Sequence, residues 1–409
     1  MNKKLLNKYA KTVVKVGVNL QKGDDLVINT TVDGIELARE IAECAYKAGA
    51  KRVDIQFGDE RIRRLDYTYQ TEQELTTLPQ WLIDRSNDMV DRKACYVAIL
   101  AEDPDAFVGI DEDLIAKVSR ARHIALKRYY DAATSNEIRW CLCAVPSKEW
   151  AKKVFPNLSA SKAVDKLWKM IATTMRLDKK DPVKAWQQHN ERLANLSKYL
   201  TKKQFCKLRL TTELGTNLEV GMPQGYYFSG GHELSRDGVD FTANMPTEEV
   251  FSLPHREKVE GVVYSSMPLV HNGNTVDEFW LRLEKGKIVD YGAKQGLATL
   301  KGIIESDEGS RYLGEIAIVQ YDSPIRSLNT LFYNTLFDEN ASCHLAIGEA
   351  YPMIEGVENM DEKTKKERGI NTSCTHVDFM IGTRDMTIIG EDCDGNQTII
   401  MQDGNLVCV

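Results

Sequence analysis

The chain has 409 residues, more than one hydrophobic core normally supports, so two domains are expected. Its 43% hydrophobic and 28% charged residues are those of an ordinary soluble globular protein. With 60 acidic and 53 basic residues the net charge is -7, which argues against nucleic acid or an anionic membrane as the partner, and no run of about 18 apolar residues is long enough to span a bilayer.

The opening MNKKLLNKYAKTVVKVGVNL superficially suggests a secretory leader, but Asn7, Lys8, Lys11 and Lys15 interrupt its apolar run. Leu5, Leu6, Tyr9, Val13 and Val16 fall instead on one face of a helix. Strands are expected at 24–31, 51–59, 95–103 and 140–147, the last ended by Pro146. Between them come helices at 33–50, capped by Asp33 and closed by Gly49, and at 111–122. This rhythm predicts an α/β domain with a mostly parallel sheet. Two long helices follow, at 159–175 and 181–200, the second with Asp181 as N-cap and Pro182 in its first helical position.

Past residue 203 the texture changes. Residues 204–223 alternate apolar and polar across Gly215, Thr216 and Asn217, the pattern of a hairpin. The domain boundary is therefore expected near 196–205, giving an α/β domain over 1–200 and a largely antiparallel α+β domain over 201–409. Within the second domain one helix is expected at 293–306 and a terminal hairpin over 386–409. The lysine-rich stretch 361–369 reads as a solvated loop. The nine cysteines are odd in number and irregular in spacing, and read as buried free thiols of a reducing, cytoplasmic protein.

The second domain also holds six metal-ligand side chains in four short apolar clusters: Glu249, Glu315, Glu339 with His344, and His376 with Asp378. Unpaired charge in such stretches is expensive, and two divalent cations would explain acidic residues there. His376 and Asp378 are two apart in a strand pattern, so both emerge on one face; taken alone, an H-x-D is more often a plain hydrogen-bonded pair. Glu339 and His344 are five apart, about 140° around a continuous helix, and converge only if a helix end or loop lies between them. In LGEIAIV, Glu315 points with Ala317, away from Ile316 and Ile318, and its two oxygens suit it to bridge two metals. Glu249 follows Glu248 in an extended segment bracketed by Pro246 and Pro254; only one of the two can face a site, and spacing does not choose.

The segments ANMPTEEVFSLP, LGEIAIV, FDENASCHLAIGEAYP and HVDFMIGT resemble those of the thermophilic-type metalloaminopeptidases, the family of aminopeptidases T and S, and so do VGVNLQKGDDLVI and AYKAGAKRVDI near the start. The resemblance runs along nearly the whole chain in the same order. It implies that Glu249, Glu315, Glu339, His344, His376 and Asp378 hold a co-catalytic metal pair, with Glu315 the bridge. It also puts Tyr351, in GEAYP, at the site, where a phenol could steady an oxyanion. The implied enzyme is a cytoplasmic homodimeric aminopeptidase acting on peptides with a free N-terminus. It would use two divalent ions per chain (zinc, cobalt or manganese), with Glu315 or Glu249 moving a proton to the leaving amine.

No H-E-x-x-H, G-x-S-x-G, Walker or G-x-G-x-x-G motif occurs. Two competing readings remain. A two-metal phosphoesterase would want clustered cationic side chains, yet Arg326 and Arg384 are isolated. A non-enzymatic metal- or peptide-binding protein would bind metal without turnover.

Overall fold

In this computed structural model, residues 3–101, 103–271, 273–351 and 353–408 are described. They form two compact units: residues 1–188 with 232–246, and residues 189–231 with 247–409.

Unit 1 is built on four strands, Asp25–Thr30, Arg52–Phe57, Cys95–Leu100 and Trp140–Ala144. All neighbours run parallel, in the spatial order second, first, third, fourth. Parallel pairing needs crossover connections, and the helical stretches between the strands supply them. Leu26, Val27 and Ile28 are buried in succession, as befits a strand covered on both faces. The crossover helix Ile35–Ala48 ends at Gly49, whose φ of 104° makes the left-handed cap. Asp33 is not its cap. A 3-10 turn over Val32–Gly34 runs straight into the helix, and the first free amides bond the carbonyls of Thr31 and Val32 instead.

Helix Pro182–Lys203 starts at Pro182 as expected, with the Asp181 carboxylate accepting from the Lys184 amide. Unit 2 holds a nine-stranded antiparallel sheet and a four-stranded one. The hairpins expected at 204–223 and over the last residues are both present, as strands Lys207–Thr211 with Asn217–Gly221 and Thr387–Glu391 with Gln397–Gln402. Leu208, Leu218, Phe279 and Leu281 from the large sheet share one core with Ile316, Leu345 and Phe379 from the small one. Each such side chain contributes about 1.5–3 kcal/mol by its burial.

Three expectations about elements need correction. The helix expected over 293–306 is only Leu297–Ile304, because the strand Lys287–Gln295 runs to a left-handed Gly296 (φ 77°) that breaks the chain direction. The lysine-rich stretch is a short exposed helix, Glu362–Glu367, whose first turn is capped by the Asp361 carboxylate. The cysteines are not all free: Cys206 and Cys393 form a disulfide, and Cys374 is exposed. The backbone explains the pairing, since the Cys206 amide donates to the Glu391 carbonyl and so brings the first strand of the hairpin beside the last turn. Among the described residues, no helix is long and apolar enough to cross a membrane.

Candidate metal centre

The four-stranded sheet of unit 2 sets out the site. Its strands, Glu249–Ser252, Leu313–Val319, His344–Gly348 and His376–Met380, are all antiparallel. The segment between the prolines is thus an edge strand rather than a rigid loop. Residues directly opposed across a ladder share a face. Ala317 opposes His344, Val319 opposes Glu249, Ala346 opposes both Glu315 and Asp378, and Gly348 opposes His376. One face therefore presents Glu249, Glu315, His344, His376 and Asp378 together. The other presents Val250, Ile316, Ile318, Leu345, Ile347 and Phe379 to the core. Glu339 comes from a 3-10 turn, Glu339–Ala341, after the helix Thr335–Asp338, and an extended Ser342 (φ -161°) turns the chain so that Glu339 and His344 converge.

Backbone carbonyls orient both histidines. His344 Nδ1 donates to the Ser342 carbonyl at 3.1 Å and His376 Nδ1 to that of Glu349 at 2.7 Å. That bond fixes the tautomer and leaves Nε2 to face the carboxylates. His344 Nε2 lies 3.2 Å from Glu249 Oε2 and 3.2 Å from Glu315 Oε1. His376 Nε2 lies 3.2 Å from Asp378 Oδ1 and 3.6 Å from Glu315 Oε2. Two triads of ligand atoms result, Glu249–Glu315–His344 and Glu315–His376–Asp378, each within 4.8 Å throughout. Glu315 belongs to both, one oxygen toward each imidazole.

Electrostatically the cluster is frustrated. Burial raises the pKa of Glu315, a pull partly offset by His344 and reinforced by Asp378. Glu339 lies outside both triads but in the same field: burial, then Glu249 and Asp378, push its carboxyl well above the usual range. Burial opposes a charged His376, yet Asp378 and Glu315 outweigh it and lift the ring to about 9. His344 is likewise raised, burial again losing to Glu249 and Glu315. Glu249 Oε2 and Asp378 Oδ1 are buried, each 3.2 Å from an imidazole Nε2 but in no well-aligned hydrogen bond. Buried polar atoms are rarely left so. Carboxylates and imidazoles in this arrangement fit a divalent cation.

The alternation of the edge strand separates Glu248 from Glu249. Glu249 is on the site face, whereas Glu248 turns the other way, its Oε2 3.5 Å from His189 Nε2. Tyr351 stands beside the site, half exposed, with its ring 5.3 Å from that of His376 and 6.2 Å from that of Phe251. Burial and the nearby carboxylates, Glu315 foremost, raise its pKa, so the phenol keeps its proton. Neither triad includes His255 or His271.

Asn340 is the residue that sequence reasoning missed. It is fully buried. Its Oδ1 accepts from the Glu248 amide at 2.8 Å, while Nδ2 donates to the Leu336 carbonyl at 3.2 Å and to Glu339 Oε1 at 3.3 Å. One side chain thus ties the backbone next to Glu249 to the carboxylate of Glu339. The only local signal was a buried amide next to a ligand-type glutamate, which is common without any site.

The profile of the family described as "Thermophilic metalloprotease (M29)" matches residues 2–406. Aminopeptidase 2 of Geobacillus stearothermophilus is 40% identical over 98% of this chain and 97% of its own. Aminopeptidase T of Thermus aquaticus is 36% identical over 98% of both. The structure of wild-type AmpT from Thermus thermophilus superposes with a TM-score of 0.92 at 35% identity, covering 99% of each chain. A 2,5-dihydroxypyridine dioxygenase from Pseudomonas putida, 10% identical with a TM-score of 0.53, shares the fold alone. A mixed α/β chain with carboxylates and imidazoles gathered on one sheet has the makings of a divalent-metal-binding protein. The protein belongs to the M29 thermophilic metalloprotease family, and it is an aminopeptidase.

Proposed function

We propose that the protein releases N-terminal residues from peptides with the help of two divalent cations, which Glu249, Glu315, Glu339, His344, His376 and Asp378 would hold, Glu315 serving both. The observation that carries this reading is the sharing of Glu315 by two triads, together with the unsatisfied oxygens of Glu249 and Asp378. Charge balance supports the same count. With both imidazoles deprotonated, as metal ligation requires, the four carboxylates sum to -4; two divalent cations would bring the cluster to zero, and one would leave -2 in a buried setting. Cations held there would supply a water acidic enough to attack at neutral pH and would polarise the scissile carbonyl. Glu315 or Glu249 takes up a proton and passes it to the leaving amine. Tyr351 donates from its phenol to the developing oxyanion. The free α-amino group of the peptide would bind a metal or a spare carboxylate, which accounts for exopeptidase action. The domain division at about residue 200, from the change of sequence texture there, a cytoplasmic location, from the cysteine pattern, and a homodimer, from the family resemblance, belong to this reading too; light scattering tests the dimer.

The deciding measurement combines metal content with hydrolysis of leucine anilide. Chelation is expected to abolish cleavage, and zinc, cobalt or manganese to restore it as two equivalents bind. N-acetyl-leucine anilide is expected to remain intact. Full activity at one bound equivalent would sink the paired-metal reading, while leaving the aminopeptidase itself untouched.

A further inference from the structure

A cavity of about 180 Å³ lies in unit 1, and its lining includes none of the metal-cluster residues. Its floor is one face of the parallel sheet. Asn29 and Gln56 are directly paired there, and Tyr96 sits opposite Val27, two residues before Asn29 on the same face. Its roof is the helix Gln80–Asp91, which supplies Leu82, Arg85 and Met89 at spacings that keep them on one side. Arg122 and Leu126, one helical turn apart, and Tyr129 close the remaining wall.

The charge of this lining is unusual for the chain. Among the described residues no carboxylate lines the cavity, although the protein as a whole is acidic at -7. Neighbouring arginines are neutralised: Arg92 pairs with Asp88 at 2.8 Å and with Asp25, and Arg128 pairs with Asp91. Arg85 rests over the Trp81 ring at 5.3 Å and, like Arg122, takes part in none of the ion pairs among the described residues. Both arginines bear electrostatically on the Tyr96 phenol, which burial keeps protonated and able to donate. The Tyr96 and Tyr129 rings pack edge to face at 5.7 Å and offer an aromatic wall. Pockets that hold small ligands combine such apolar walls with a few converging polar groups. Guanidinium forks match a planar carboxylate.

We propose that this cavity binds a small monocarboxylate with a compact apolar body, the carboxylate on Arg85 and Arg122 and the body against Tyr96, Tyr129, Met89 and Leu126. A zwitterion is disfavoured, because its ammonium would find no carboxylate in the lining. The site therefore discriminates against the free amino acids that peptide cleavage releases. This inference does not depend on the metal count or on the peptidase mechanism.

Calorimetric titration of the full-length protein with 3-phenylpropionate tests it, with phenylalanine and inorganic phosphate as parallel ligands. Saturable one-to-one binding of 3-phenylpropionate is expected, at least tenfold tighter than phenylalanine. Arg122→Met should weaken it about tenfold, the loss of a charge-assisted hydrogen bond, and Arg85→Met similarly. Arg122→Lys should recover part of the affinity. Glu315→Gln should leave it unchanged, which separates this site from the metal cluster. Binding that survives the Arg85→Met/Arg122→Met double variant, or that Glu315→Gln abolishes, would overturn the proposal. So would the absence of saturable heat, or phosphate binding more tightly than 3-phenylpropionate. Equal urea midpoints for wild type and variants establish that the fold is intact in each arm.

Discussion

At the scale of single residues, the site depends on side chains that hold other side chains. Asn340 bonds the amide next to Glu249 and the carboxylate of Glu339. Asn340→Ala leaves that buried amide without a partner, which costs about 1–3 kcal/mol. Losing a side chain that holds a metal ligand in place weakens metal affinity by roughly 10–100-fold. The expected result is a parallel shift in metal titration of the apoprotein and in urea midpoint; an unchanged metal affinity would reduce Asn340 to a packing residue. Tyr351 makes a different prediction. Because its ring is half exposed, Tyr351→Phe should scarcely alter stability, but it removes the donor. Loss of one oxyanion donor costs about 10²–10³ in kcat. A KM change with kcat preserved would instead make Tyr351 a substrate-binding wall. Of the residues discussed, His376 and Asp378 were the most legible in the sequence, since a period of two needs only a strand to bring them together. Asn340 was illegible, because its partners lie four residues back and 92 residues away.

At the scale of elements, the strand that carries His376 and Asp378 is preceded by a loop anchored on Asp307. That carboxylate accepts from the Ser310 amide at 2.7 Å, the Ser373 hydroxyl at 2.8 Å and the Cys374 amide at 2.6 Å. Burial opposes its charge, but these donors outweigh it and hold the pKa at about 2. A depressed carboxyl contributes stability that is present above its unfolded pKa near 4 and is lost as pH falls through about 2. The contribution is on the order of 1–2 kcal/mol once solvent screening of this partly exposed group is allowed for. Asp307→Asn should therefore lower the urea midpoint at pH 7 and converge with wild type as pH drops below 4 toward 2. Curves that stay parallel over that range would show that the loop is held by other contacts. Helices and hairpins were readable from local pattern where capping and turn residues agreed, as at Gly49 and Gly215. They were misread where a single left-handed glycine decided between strand and helix, as at Gly296.

At the scale of the molecule, the chain does not use its segments in order. Unit 1 takes in residues 232–246 as well as 1–188. Unit 2 is closed by the Cys206–Cys393 disulfide, across a sequence separation of 187. Cross-links that constrain long loops typically contribute about 2–4 kcal/mol by restricting the unfolded chain. Reductant, or Cys393→Ser, should lower the unfolding free energy of unit 2 by that amount, read as a lower urea midpoint, without altering metal binding. A midpoint indifferent to reductant would mean that the two thiols are merely neighbours. Neither feature has a local signature, because each depends on pairing between segments far apart in sequence.

The sequence by itself determined the parallel α/β start, the antiparallel hairpins and the supply of ligand-type side chains in apolar strands. All of these rest on periodicities and turn chemistry acting over a few residues. Only the tertiary structure decided that Glu249 rather than Glu248 faces the cluster, because one residue of ladder register moves a side chain to the opposite face. The structure alone also made Glu315 common to two triads and placed Asn340 beneath them. Such juxtapositions arise from long-range strand pairing, and short-range pattern does not encode it.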